Sequence, residues 1–216
     1  EKELEGWAFT LQAPSYVPFM QYSTRRNLRE DMWKAYNTRA IGGENDNTEV
    51  VKRIAELRIK IANILGYETW ADYVLEERMA KNRETVNNFI MQLLKPSLPF
   101  AKKDVADVFA YAKKNGFKGS ELMPWDFNFW SERYKEAEYA LNTEELKPYF
   151  RLENCIDAVF SLANRLYGLE FKQLDNIPVY HEDVMVYEVT DADGRHMALF
   201  YADFFPRASK RGGAWM

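Results

Sequence analysis

The groups able to do chemistry are few and scattered. The chain holds two histidines, His181 and His196, and one cysteine, Cys155. His181-Glu182-Asp183 puts three metal-ligating residue types in one tripeptide, but neighbours on an extended segment point to opposite faces. It reads as a solvated turn in preference to a ligand set. His196 falls in an apolar run and reads as a satisfied or exposed histidine rather than a base. Glu132 and Glu136 are four apart and share a helix face, yet Arg133 and Lys135 surround them, so a solvated charged face is preferred. Cys155 lies on a helix with an apolar stripe and reads as a buried thiol before a nucleophile. The sequence contains no HExxH, no GxSxG, no phosphate-cradling glycine loop and no CxxC. These residues form no complete catalytic constellation.

The elements that must position them are mostly helical. Gly6–Leu11 alternates and reads as extended or strand-like. A short helix is expected over Ser15–Ser23, with proline tolerated in its first turn. A second is expected over Thr24–Ala40, capped by Thr24, with Leu28, Met32, Ala35 and Tyr36 on one face and Arg25, Arg29 and Lys34 away from it. The clearest spans Thr48–Leu65, where Val50, Ile54, Leu57, Ile61 and Ile64 or Leu65 fall at three- and four-residue steps and Gly66 supplies a left-handed cap. Trp70–Arg78 reads as a short helix. Arg83–Asn115 reads as a long one, kinked or split near Pro96 and Pro99 where amide donors are missing. Another runs from Pro124 to Ala140, with Asp126 suited to its first turn. The last spans Glu153–Tyr167, with Ile156, Val159, Phe160, Ala163 and Leu166 on its stripe and Gly168 as its cap. Val184–Val189 and His196–Phe204 flank the turn Asp191-Ala192-Asp193-Gly194 and predict a β-hairpin. The fold class is therefore mainly α, with a multi-helical body over 1–167 and a small C-terminal α+β portion over 168–216 containing the hairpin.

Composition excludes several classes of function. Hydrophobic residues make up 47% and charged residues 29%, which places the chain among ordinary globular sequences. The net charge is -4 with both signs mixed, so no basic stripe marks a nucleic-acid partner. No apolar run approaches the roughly 20 residues that cross a bilayer, so no membrane role is expected. One cysteine excludes an internal disulfide and a cysteine-built metal site. The start, Glu1-Lys2-Glu3-Leu4-Glu5, is neither a signal peptide nor an initiator methionine, and nothing polar follows Trp215-Met216. Both ends read as cuts inside a larger protein. The compartment stays open, with cytoplasmic the preferred reading.

Several stretches, taken in order, resemble the thimet-oligopeptidase-type zinc metallopeptidases, and most of all their bacterial peptidyl-dipeptidase (dipeptidyl carboxypeptidase) branch. They include Trp7-Ala8-Phe9-Thr10-Leu11, Arg26-Asn27-Leu28-Arg29-Glu30, Ala55-Glu56-Leu57-Arg58, Leu65-Gly66-Tyr67, Met79-Ala80-Lys81 and Pro124-Trp125-Asp126. Leu146-Lys147-Pro148-Tyr149-Phe150, Arg165-Leu166-Tyr167-Gly168-Leu169 and Gly212-Gly213-Ala214-Trp215-Met216 complete the series. Phe129-Trp130 departs from the pattern, which usually shows a tyrosine pair there. The family's zinc centre, an HExxH helix plus a later glutamate, lies beyond the Gly-Gly-Ala-Trp-Met stretch.

The resemblance implies a parent enzyme that cleaves short peptides with zinc, as an oligopeptidase or peptidyl-dipeptidase. It implies no metal ion and no catalytic residue in this piece, which would be scaffold and cleft wall and inactive alone. The hairpin and a strand at Gly213 would join a sheet near the catalytic helices. Trp125, Asp126 and Arg207 are the candidate substrate contacts; each also has a structural reading, Trp125 as a buried helix anchor and Arg207 as a surface arginine. An apolar patch left uncovered around Trp215 would favour self-association. Two alternatives stand beside this: a non-catalytic helical module that binds peptides or a protein partner, and an autonomous metalloenzyme built on His181.

Overall fold

Some helix boundaries in this protein follow local chemistry and others do not, and a computed structural model describes them over residues 5–140 and 142–210. The Gly212–Met216 stretch, with the strand expected at Gly213 and the patch expected at Trp215, lies outside the described residues. Contacts group the chain into two units, Glu1–Tyr139 and Ala140–Met216.

In the first unit α1 spans Ala13–Tyr22 and takes a proline at its start. Gly6–Leu11 forms no strand; Trp7 and Phe9 are exposed, and among the described residues no strand pairs with it. The second helix, α2, spans Arg26–Asn37 and is shorter than expected. Thr24 does not cap it: the N-cap position is the extended Arg25, which makes no side-chain capping bond. Instead Arg29 Nη1 donates to Ser23 O at 2.7 Å and fixes the chain's entry from inside the helix. Helix α3 spans Thr48–Ile64 and ends at Gly66, whose φ of 88° needs the left-handed region. Helix α4, Trp70–Glu76, opens with a reciprocal capping box between Thr69 and Asp72.

Helix α5 runs unbroken from Arg83 to Lys114 through Pro96 and Pro99. Of the kink or split expected there, the split does not occur. Each proline deprives the carbonyl four residues earlier, Gln92 or Lys95, of its partner. Both of those residues are exposed, so water can satisfy the freed oxygens. Helix α6, Pro124–Tyr139, packs with α1, α2 and α5, and the shared core includes Met20, Val108, Ala112, Trp125 and Phe129. The α3 stripe is not part of it. From Leu57 at 41% to Ile64 at 83% its large side chains stay exposed, and only Ala62 is fully buried. No helix among the described residues is long and apolar enough to cross a membrane.

In the second unit a 3₁₀ segment, Thr143–Phe150, leads into α7, Leu152–Tyr167. Three antiparallel strands follow in the order β1 (Glu170–Leu174), β2 (Met185–Thr190) and β3 (His196–Ala202). The expected hairpin is β2–β3. Its turn is held by Asp191, whose Oδ1 accepts from the amides of Asp193 at 3.1 Å and Arg195 at 2.9 Å. Strand β1 has no counterpart in the sequence reading. Its Phe171 stacks on Phe160 of α7 with centroids 4.0 Å apart, and Phe160 meets Tyr187 of β2 edge-on at 4.8 Å. Val159 and Leu166, expected on the buried stripe of α7, are both 62% exposed, because the sheet covers only the side carrying Phe160.

Gly168 ends α7 at φ 69°, and a Cβ there would stand 3.3 Å from the Cβ of Ala192. Gly168→Ala is therefore expected to destabilise the protein by about 1–2 kcal/mol in urea unfolding. Unchanged stability would mean that the left-handed cap does not restrain the α7–β1 connection.

Candidate functional site

The most fully buried charge in the first unit is Asp126, in the first turn of α6. Its carboxylate is completely buried and accepts four hydrogen bonds. Oδ1 accepts from Arg26 Nε at 2.9 Å and Arg29 Nη2 at 3.1 Å. Oδ2 accepts from Arg26 Nη2 at 2.8 Å and the Met123 amide at 3.2 Å. The last bond satisfies an amide at the entrance to α6, and the negative charge suits the positive end of the helix dipole. Arg26 and Arg29, three apart on α2, present both guanidiniums on one face.

Arg29 is as buried as its partner. Its other two nitrogens donate to main chain, Nε to Trp125 O at 2.9 Å and Nη1 to Ser23 O. The guanidinium carbon lies 4.1 Å from the centre of the Phe129 ring, and that of Arg133 lies 3.4 Å from it. Burial lowers the Arg29 pKa from its ordinary value, partly offset by Asp126, whereas the hydrogen bond to Asp126 raises that of half-exposed Arg26. Both keep their charge at neutral pH.

Of the three residues picked out from the sequence, Trp125 and Asp126 meet in this cluster and Arg207 belongs to the second unit. Trp125 is buried, 5.6 Å from Trp33 between ring centres, with the Arg26 guanidinium 5.6 Å from its ring. Its indole Nε1 has no hydrogen-bond partner among the described residues. Arg207 grips Asp203 through Nη1 at 2.9 Å and Nη2 at 2.6 Å, Lys210 Nζ lies 2.7 Å from the same carboxylate, and the Tyr180 hydroxyl donates to it at 3.1 Å. The sequence reading missed Arg26 and Arg29 as site residues. It placed Arg29 off the packing face of α2, although Arg29 is buried and Leu28 and Ala35 are exposed. The available signal was two arginines three apart, with an aspartate in a helical first turn needing a counter-charge.

Beside Arg26 and Arg29 opens a cavity of about 490 Å³, walled by Phe117, Lys118, Phe129 and Trp130. The histidines take no part in it. His196 Nδ1 lies 3.0 Å from Glu188 Oε1, and His181 Nδ1 lies 3.5 Å from Asp183 Oδ2. Among the described residues no three His, Cys, Asp or Glu side chains converge as metal ligands, so these residues do not fit a zinc site.

Removing one member of the buried cluster should cost far more than removing a surface ion pair. Asp126→Ala leaves Arg29 charged and unpaired, and is expected to destabilise the chain by about 3–5 kcal/mol in urea unfolding. The double change Arg29→Met with Asp126→Leu should recover much of that loss; a single change without effect would mean that the cluster is dispensable. The Asp203 carboxyl is held well below its ordinary range, chiefly by the hydrogen bond from Arg207. A depressed native pKa stabilises the fold above the unfolded value of 3.8, and that contribution disappears as pH falls through the lower native value. The stability difference between the native chain and Asp203→Asn should thus be constant near neutrality and shrink only below about pH 4. Carboxyl NMR titration of Asp203 checks the depressed midpoint directly.

Residues 19–216 match the sequence profile of Peptidase family M3. The whole chain is 39% identical to oligopeptidase A of Escherichia coli and covers 32% of that protein. Over 97% of its length it is 42% identical to the organellar oligopeptidase A of Arabidopsis thaliana, covering 27% of that one. Identity to the dipeptidyl carboxypeptidase of Escherichia coli is 36% across the whole chain, again over 32% of the relative. The chain thus spans about a third of the length of these relatives or less, and with its profile match running from Phe19 to Met216 it belongs to Peptidase family M3.

Proposed function

We propose that these 216 residues are scaffold and cleft wall of a zinc metallopeptidase that hydrolyses short peptides, as an oligopeptidase or a peptidyl-dipeptidase. The observation that carries this reading is the family match over residues 19–216, supported by relatives named oligopeptidase A and dipeptidyl carboxypeptidase. The zinc and the water it activates are assigned to residues outside this chain, so no catalytic step is routed through the residues described above.

Within this reading the Asp126 cluster works by positioning. Asp126 and Trp125 are sealed from solvent, so they hold α2 and α6 in register and leave peptide contact to half-exposed neighbours such as Arg26 and Trp130. Arg207 retains 19% side-chain exposure and is the candidate contact in the second unit. A cytoplasmic location belongs to the same proposal, as does self-association of the chain produced alone, which the uncovered α3 stripe supports.

The test is made in two arms. The 216-residue chain with zinc and a fluorogenic short peptide is expected to show no hydrolysis above background. The complete gene product that carries these residues, loaded with zinc, is expected to cleave the same peptide and to stop when the metal is chelated. Turnover by the chain alone would relocate the metal site, and an inert metal-loaded gene product would sink the peptidase reading.

A further inference from the structure

The cavity beside Arg26 sets cationic side chains against an aromatic lining. Arg26, Arg29 and Lys118 reach its wall, and among the described residues no carboxylate does. Arg26 commits Nε and Nη2 to Asp126, but its Nη1 makes no hydrogen bond among the described residues and its side chain is 46% exposed. Lys118 is exposed and forms no ion pair among the described residues. Arg29 is held by Trp125, Ser23 and Asp126, one bond from each of its three nitrogens, so it contributes chiefly charge to the wall. One buried carboxylate, Asp126, faces these cations, and the balance at the cavity stays positive.

The remaining wall is largely aromatic, with Thr24, Gly116 and Gly119 beside the rings. Phe117 and Trp130 meet edge-to-face with centroids 6.0 Å apart, and Phe129 and Trp130 do so at 5.1 Å. Phe117 and Phe129 are buried, whereas Trp130 is half-exposed and presents its indole. Gly119 makes this corner possible: a Cβ there would stand 2.5 Å from the Phe117 ring. A volume of about 490 Å³ also falls in the range of small-molecule sites.

From this arrangement we infer that the cavity binds a monocarboxylate carrying an apolar or aromatic group. The carboxylate meets Arg26 Nη1 and Lys118 Nζ, and the apolar part lies against Trp130. Two free donors beside a hydrophobic wall match a single carboxylate with a hydrocarbon attached better than a strongly hydrated inorganic anion. The inference rests on the first unit alone and does not depend on the peptidase reading.

The probes are N-acetylphenylalanine, its amide and inorganic phosphate, each titrated into the isotopically labelled 216-residue chain. N-acetylphenylalanine is expected to shift the Trp130 indole and the Lys118 and Gly119 amides saturably. The neutral amide and phosphate should each bind about tenfold more weakly or worse, the scale of losing one charge-assisted contact. Lys118→Glu, at an exposed position, should weaken N-acetylphenylalanine by at least about tenfold, and Lys118→Arg should keep it. Equal binding of the amide shows that charge is not read, and equal binding of phosphate shows that the aromatic wall is not; either overturns the inference. So does indifference to Lys118→Glu, or a saturable shift that leaves Trp130 unmoved.

Discussion

A carboxylate with no access to water must find its full set of donors inside the protein, and in the first unit everything near α6 conforms to that need. Asp126 draws donors from Arg26, Arg29 and Met123, and so joins residues about a hundred positions apart in sequence. The gain from such a cluster is not mainly stability, since the cost of dehydrating the charges cancels much of their attraction. What it imposes is register. A one-residue slip of α2 against α6 would leave a buried anion and a buried cation unpaired, a penalty no apolar contact imposes so sharply. Phe129 adds to the constraint, because the guanidiniums of Arg29 and Arg133 both lie over its ring.

The second unit applies the same chemistry on a shorter tether. Asp203 takes Arg207 and Lys210 from the next seven residues and Tyr180 from the segment before β2. Its partners are close in sequence, so little loop entropy opposes closure. The clasp therefore fixes the path of the chain after β3 at small entropic cost, whereas the Asp126 cluster depends on the whole of its unit being folded.

How much of this was legible in the sequence depended on whether the deciding forces were local. Helix ends marked by Gly66 and Gly168 and the hairpin turn at Asp191–Gly194 could be read, because backbone geometry and near-neighbour hydrogen bonds decide them. The unbroken α5 could not, since whether two prolines split a helix depends on water reaching Gln92 and Lys95, a tertiary fact. Strand β1 was hidden because Glu170-Phe171-Lys172-Gln173-Leu174 has modest strand propensity and is held by pairing to β2 and by Phe160. Arg29 was misplaced for the deepest reason. Periodicity treats charge as a mark of the solvent face, and a buried ion cluster inverts that rule. The site was legible only in part: Trp125 and Asp126 could be picked out, their arginine partners and the adjoining cavity could not.

The uncovered apolar stripe of α3 has a bearing on what kind of object the chain is. Val50, Ile54, Leu57, Ile61 and Ile64 repeat as a core stripe does, yet each stays between 41% and 83% exposed. Exposed single hydrophobics are ordinary, but a continuous row of them along one helix face marks a surface meant to be covered. The first unit thus contains two contrasting surfaces: one closed on itself by paired charge around Asp126, the other left apolar along α3. A wall in a larger enzyme needs both properties, a rigid interior that keeps its shape when substrate arrives and an outer face that docks on the rest of the polypeptide. The proposed scaffold role accounts for both features together, whereas a freestanding binding module would explain the rigid interior and leave the stripe without a purpose.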